Sequence, residues 1–458
     1  MRTRMAVLST LVVSLVILAR SAPGQLISRD PGVRRGAAGA GAMLAGLTAT
    51  QQAFFASGLE AFSEADGVGN GLGPRFNLDS CVGCHSQPAA GGTSPAVNPQ
   101  VEIATALGAR NVLPAFVTID GPVREARLKY KSDGSRDGGV RSLFVISGRR
   151  DDSGDAKGCA IAQDDFAYHL GRNNVSLRIP TPVFGGGLIE AIADAALMAN
   201  AGASAAQKTT LGIGGRPSRL IPVGNPNRNG NDGTIARFGW KAQNRSLLMF
   251  AGEAYNVEQG ISNELFPSER DDTPTCLFAP TPNDATNTDA ATGIDAVADI
   301  QKFAMFMRFL APPQPSSDQP GGAASIGRGR SLFTSIGCAL CHTPALRTGA
   351  STVSALSSQT ANLFSDLLLH RMGPGLADDV VQGDAGPDEF RTAPLWGLGQ
   401  RLFFLHDGRT SDLIEAIQAH ASPGTGRFAA SEANGVIARF RALRETDKQD
   451  LLNFLRSL

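Results

Sequence analysis

The residues with the plainest capacity for chemistry are two pentapeptides of one pattern, Cys81-Val82-Gly83-Cys84-His85 and Cys338-Ala339-Leu340-Cys341-His342. Two thiols three positions apart can form thioethers to the two vinyl groups of a haem, and the adjoining imidazole can bind its iron from one face. Each pentapeptide reads as a c-type haem attachment site, so two covalently bound haems are expected. The competing reading is a zinc site built from paired Cys-x-x-Cys. Such sites usually keep their ligand pairs within tens of residues, whereas these pairs stand far apart in the chain and each is followed by histidine.

What completes each iron decides the chemistry, since an electron carrier has two protein ligands and a peroxide-activating haem needs an open or openable face. The remaining histidines are His169, His370, His406 and His420. His420 shares a helical face with Leu413 and Ile417, which points it into a core that a haem must occupy. Its distance from the second motif also suits a sixth ligand, against the blander reading of a hydrogen-bonded core histidine. For His406, in Phe404-Leu405-His406-Asp407-Gly408-Arg409, fixation by Asp407 or packing on a haem edge competes with iron ligation. His370 and Met372 are equally open, while Met305 and Met307 sit in an apolar helix and read as core filler. His169 is the spare histidine of the first half; if it does not bind, the first haem is open.

The 458 residues leave room for two or three domains, and 42 basic against 42 acidic residues give no sign of a nucleic-acid partner. Met1-Arg2-Thr3-Arg4, an apolar run from Met5 to Ala19 and then Ser21-Ala22-Pro23-Gly24 read as a secretory signal over residues 1–24. The run is short for a membrane span and none like it recurs, so a mature periplasmic chain with no stable membrane span is expected, an uncleaved anchor being the alternative. In that oxidising compartment Cys159 and Cys276 could form a disulfide.

Several elements must position the two motifs. A helix over Thr48 to Ala65, opened by a Thr48/Gln51 capping box and carrying Phe55, Leu59 and Phe62 on one face, leads into the first. From about residue 95 to 235 the texture changes to short β-type runs at Ala115 to Ile119, Ala126 to Lys131 and Ser142 to Ser147, with turns at Asp120-Gly121 and Asp133-Gly134. Asn225 to Gly233 reads as a turn-rich link, and helices follow at Ser246 to Ala254 and Ile294 to Leu310. Ala311-Pro312-Pro313-Gln314-Pro315 to Gly322 marks a domain boundary. Beyond it, helices at Ile326 to Ile336, Ser411 to His420 and Thr446 to Leu455 are expected, the last with a Thr446/Gln449 capping box. The fold class is therefore mainly α: cytochrome c-like haem domains at 45–312 and 323–458, the first with a loop-rich, partly β insertion.

Longer stretches carry a resemblance. Asp366-Leu367-Leu368-Leu369-His370-Arg371-Met372-Gly373-Pro374-Gly375-Leu376-Ala377-Asp378, Arg391-Thr392-Ala393-Pro394-Leu395-Trp396-Gly397-Leu398-Gly399 and Leu405-His406-Asp407-Gly408-Arg409 resemble the signature of the bacterial di-haem oxidoreductases of peroxidase type. Phe76-Asn77 through His85, Phe184-Gly185-Gly186-Gly187-Leu188-Ile189-Glu190 and Phe238-Gly239-Trp240-Lys241-Ala242 agree, so the likeness runs along nearly the whole mature chain. The family is similar to the di-haem cytochrome c peroxidases and to the di-haem enzyme that matures tryptophan tryptophylquinone. The resemblance implies peroxide chemistry at the N-terminal haem and an electron relay at the C-terminal one. It places a sixth ligand at His420, the aromatic residue between haems at Trp240 and the distal acid at Glu258, with calcium between the haems. Gln259 stands where family members usually have Met, Arg371 where Asp is usual and Phe390 where Trp is usual.

The function expected is a periplasmic di-haem c-type oxidoreductase that reduces hydrogen peroxide at the His85 haem. Electrons would come through the His342/His420 haem from a small donor protein of cytochrome or cupredoxin type. The alternatives are a non-catalytic electron-transfer cytochrome, with His169 or another side chain closing the first iron, and high-valent haem oxidation of a protein or organic substrate.

Overall fold

The computed structural model describes residues 27–36, 38–219 and 235–458. The expected signal over 1–24 and the whole of the link at Asn225 to Gly233 lie outside the described residues. About 34% of the chain is helical and 11% strand, so helix dominates as expected while loops carry much of the rest. The helices that position the site are α1 (Ala49–Ser63), α2 (Leu247–Ala254), α3 (Asp299–Phe309), α4 (Gly322–Ile336), α5 (Leu413–Ala419), α6 (Asn434–Ala442) and α7 (Glu445–Ser457).

Each Cys-x-x-Cys-His follows a helix that is packed tightly on a partner. In α1 the expected capping box forms, with Gln51 N–H on the Thr48 hydroxyl and Thr48 N–H on the Gln51 side chain. Phe55 and Phe62 then bury against Phe306 of α3, ring centroids 5.4 and 4.8 Å apart. A Cβ on Gly58 would lie 2.3 Å from the Lys302 carbonyl oxygen, and one on Gly329 of α4 would lie 2.0 Å from that of Asp450 in α7. Both pairs therefore approach closely only because a side chain is missing at the contact.

The single helix expected over Ile294 to Leu310 is two. A short turn, Gly293–Ala296, ends at Val297, and α3 starts afresh where the Asp284 carboxylate accepts from Asp299 and Ile300 N–H. Periodicity cannot register a cap supplied by a separate segment. The expected Thr446/Gln449 box does not form either. α7 begins at Glu445 after Arg444, leaving Thr446 inside its first turn, while Gln449 donates to Arg29 C=O and Asn453 Oδ1.

The largest sheet among the described residues has three antiparallel strands: β1 (Glu125–Leu128) lies between β2 (Val140–Arg141) and β3 (Val175–Arg178), with Ala126 opposite Arg141 and Leu177. Ala115 to Ile119, expected as a β-type run, forms turns instead. A two-residue pairing of Arg75 and Phe76 with Val145 and Phe144 fixes the approach to the first motif. Cys159 and Cys276 form a disulfide and are buried beside Phe76 and Phe144.

The proline-rich stretch expected as a boundary is a strap hydrogen-bonded on both sides. Ala311 and Gln314 N–H donate to Ala42 and Ala38 C=O, and Ser316 N–H donates to Ser457 C=O. The segment it meets reaches α7, where Asp30 binds the buried Arg456 guanidinium at 2.6 and 2.7 Å.

Candidate functional site

The two motifs open onto two cavities, the first of about 90 Å³ lined by Cys84 and His85, the second of about 220 Å³ lined by Cys338, Cys341 and His342. Packed interiors hold few voids larger than a water molecule, so spaces of this size call for a resident group. Cys84 lines the first cavity while Cys338 and Cys341 line the second, and among the described residues no grouping of potential metal donors joins the two cysteine pairs, which removes the four-cysteine zinc alternative.

The local fold presents each motif in the same way. Ser80 caps the turn Cys81–Cys84 by accepting from Gly83 N–H, and Gly337, in a left-handed conformation, starts the turn Cys338–Leu340. His85 Nδ1 lies 3.0 Å from Gly92 C=O and His342 Nδ1 lies 3.1 Å from Phe364 C=O. A proton held there leaves Nε2 unprotonated and available. Burial pushes both imidazoles down to about 4, so they are neutral at ordinary pH, as iron ligands must be.

His420 follows the last turn of α5 and lines the same cavity as His342. Its Nδ1 is 2.8 Å from Ala416 C=O, again freeing Nε2, and burial lowers its pKa. The second cavity thus holds two imidazoles with matching tautomers.

The fit to haem can be tested on the cations. Arg391 and Arg401 line the second cavity; Arg391 donates to Gly239 and Thr392 C=O, Arg401 to Pro394 C=O, and neither forms an ion pair among the described residues. Burial holds both guanidiniums down to about 10. In the first cavity Arg124 Nε and Arg178 Nε are buried without partners. Buried cations without a counter-charge, such as Arg391 and Arg401, are costly, and the two carboxylates of a haem are the kind of counter-charge the second cavity lacks, whereas Arg178 in the first already pairs with Asp378. The residues present fit the group.

Trp240 lines both cavities. Its Nε1–H donates to Ile179 C=O at 2.9 Å. The next residue, Lys241, is fully buried with Nζ 2.9 Å from Asp378, a carboxylate that also binds Arg178 at 2.8 Å. Lys241 lies over one face of Phe390 at 3.9 Å, and His406 stacks on the same ring with centroids 4.3 Å apart. His406 thus lines the second cavity and is packed against Phe390.

Glu258 faces the first cavity from a π-helical turn, Tyr255–Gln259, that extends α2. Burial pushes its carboxyl up to about 8, with Glu125 and Glu253 adding to the rise. The turn ends at Gly260, φ +80°, where a Cβ would sit 2.3 Å from Arg75 C=O, so only glycine can end it there. No periodicity signal predicts a π-turn; a glycine after an acid was the one available clue. Gln259 lines this cavity too, its amide satisfied with nitrogen toward Asp66 at 2.6 Å and oxygen toward Cys81 N–H at 3.2 Å.

The other histidines divide cleanly. His169 lines neither cavity and contacts Asn174 and Tyr168, so the reading that made it a ligand of the first iron loses its residue. His370 has both nitrogens engaged, by Asp366 at 3.0 Å and Glu432 at 2.8 Å. Cys341, Asp366 and His370 are the one tight grouping of metal-type donors among the described residues, and its thiol belongs to the second motif. Met372 lines the second cavity, whereas Met305 and Met307 pack in the core of α3.

Sequence reasoning singled out neither Arg391, beyond its place in a quoted motif, nor Arg401, nor the side chain of Asn77. A buried arginine without an acid is visible only once its surroundings are.

The family model for di-haem oxidoreductases, putative peroxidases, matches residues 125–458. This chain belongs to that family. The matched region contains the second motif and Glu258 and begins after the first motif. A di-haem oxidoreductase with these cavities is a redox enzyme that takes haem. No curated protein matches the chain. Among solved structures, a hydrazine synthase chain from Kuenenia stuttgartiensis is similar at 12% identity and TM-score 0.37, over 98% of this chain and 100% of that one. The diheme peroxidase BthA from Burkholderia thailandensis is similar at 14% identity and TM-score 0.28, over 61% and 86%. A MauG-like protein associated with microbial copper homeostasis is similar at 18% identity and TM-score 0.26, over 37% and 55%.

Proposed function

We propose that this di-haem oxidoreductase is a periplasmic c-type peroxidase that reduces hydrogen peroxide in the first cavity with electrons admitted through the second. Cys81 and Cys84 would hold one haem by thioethers with His85 on its iron; Cys338, Cys341, His342 and His420 would hold the other. Bound haem supplies the redox chemistry, by which two electrons and two protons convert peroxide to two waters. The observation that carries the reading is the asymmetry of the cavities. The second is lined by His342 and His420, each with Nδ1 on a backbone carbonyl and Nε2 left for an iron, whereas among the described residues the first is lined by His85 and no second histidine, but by a buried glutamate.

Glu258 can take the proton from one peroxide oxygen and return it to the departing oxygen, the service that bond cleavage requires. Trp240, common to both cavities, is placed to shorten the passage of an electron between them. A small cytochrome or cupredoxin would supply electrons at the second cavity. No helix among the described residues is long and apolar enough to cross a membrane, which agrees with a peripheral donor and an exported chain. The two cytochrome-like domains at 45–312 and 323–458 and the insertion at about 95–235 remain the expected division of labour. The calcium implied by the resemblance has no assigned ligands.

Spectroscopy of the purified holoprotein tests the reading. One low-spin bis-histidine haem and one haem that is high-spin when oxidised or half-reduced, with spectral change on adding peroxide, is the expected result. Two low-spin haems indifferent to peroxide would return the chain to simple electron transfer.

A further inference from the structure

We propose that the Asn77 side-chain amide donates a hydrogen bond to the oxygen of the small oxidant held beside Glu258 in the first cavity. The inference rests on the peroxidase reading and adds to it a second residue that touches the substrate.

Asn77 is 4% exposed and lines the cavity, yet its Nδ2 has no partner. Buried amide nitrogens are almost always paired, so one left without a partner among the described residues, on a side chain that lines a cavity, marks the place of an absent acceptor. The amide cannot escape by turning over. Its Oδ1 accepts from Leu143 N–H at 2.7 Å, and reversal would set two donors against each other. The backbone is equally fixed: Asn77 N–H donates to Glu258 C=O at 2.6 Å, and the residues before it pair with Val145 and Phe144. The amide and the acid are thereby held as one unit.

The chemistry of the pair narrows the ligand. Hydrogen peroxide carries O–H donors and oxygen lone pairs together. Glu258 accepts an O–H when ionised, and the Asn77 NH₂ group answers a lone pair, so the two make a complementary clamp. The other orphaned donors of the cavity sit elsewhere: Arg178 is tied to Asp378 and Gln382, and Arg124 feels the charge of Asp407. Those cations suit carboxylates, whereas a neutral amide beside a proton-shuttling acid suits a small oxygen ligand.

Fluoride titration of the oxidised holoprotein tests this, because the ion binds only an open high-spin haem and is sensitive to hydrogen-bond donors around it. Asn77→Asp keeps an acceptor for Leu143 N–H and the size of the side chain while removing the NH₂ group; Asn77→Ala removes both. Expected are fluoride binding weaker by about tenfold or more in both variants, a shifted high-spin charge-transfer band, and a lower kcat/KM for peroxide. The low-spin spectrum of the second haem serves as the folding control. Affinity within twofold of the parent, in variants whose second haem is unchanged, would overturn the proposal. A parent that binds fluoride but ignores peroxide would sink the peroxidase reading while leaving the donor to the fluoride contrast. A parent that binds no fluoride would sink both.

Discussion

Glu258, with its midpoint raised to about 8 by burial, is mostly protonated at neutral pH, so a base at this position gains strength as the solution becomes alkaline. Peroxide turnover is expected to climb from roughly pH 6.5 towards a plateau above about 8. Glu258→Gln should lower kcat/KM by about 10²–10⁴-fold and flatten that climb; a sloping profile in the variant would place the titrating group elsewhere. His420→Gly should turn the second haem high-spin, read in the oxidised absorption spectrum, and leave the first unaltered. Asp66 titrates in the same direction, raised to about 8 by burial, then by Glu64, against a hydrogen bond from Tyr255. A group whose folded pKa exceeds its unfolded value stabilises the fold at low pH and ceases to do so as pH rises through the folded value. The Tm should therefore fall between about pH 4 and 8, and Asp66→Asn should recover about 2 °C or more at the alkaline end. At this scale the sequence was most informative where covalent chemistry dictates spacing, as in the two Cys-x-x-Cys-His runs. Asn77 was silent because its meaning depends on Leu143, sixty-six positions away.

The element that matters most is the π-helical turn Tyr255–Gln259, since it rotates Glu258 into the cavity where a regular continuation of α2 would carry it past. Gly260→Ala should cost about 1–3 kcal/mol in denaturant unfolding, as its left-handed backbone and the Arg75 carbonyl both resist a side chain. Peroxide activity should fall further than the lost stability explains, because the acid is displaced. A helix with its own start signal was legible: α1 announced its capping box. Helices started by another segment were not. The break before α3 comes from Asp284, and α7 begins one residue earlier than its apparent box because Gln449 is drawn away to Arg29. The β-type run at Ala115 to Ile119 failed for want of a partner strand, since strand propensity is realised only by pairing.

Across the whole molecule, one buried carboxylate joins sequence-distant parts. Asp378 binds Arg178 at 2.8 Å and Lys241 at 2.9 Å, and all three side chains are nearly inaccessible. Asp378→Ala would strand two cations and should destabilise the fold by about 3–5 kcal/mol, measurable as a lower urea midpoint. Haem content should survive, because the cysteines proposed to form thioethers are untouched. None of this network was visible beforehand: its members are scattered among charged residues of ordinary appearance, and only burial makes them costly.

The strap and the segment it clasps carry a consequence for the order of events in the cell. Ser28 and Asp30 bind Glu445 and Arg456, more than four hundred positions later, and closing such a loop is entropically expensive until both ends are in hand. Residues that leave the ribosome early thus have no resting place until those made late arrive. On the proposed reading, the chain would still be open when it meets its cofactor and would close over it afterwards, with α7 acting as the latch.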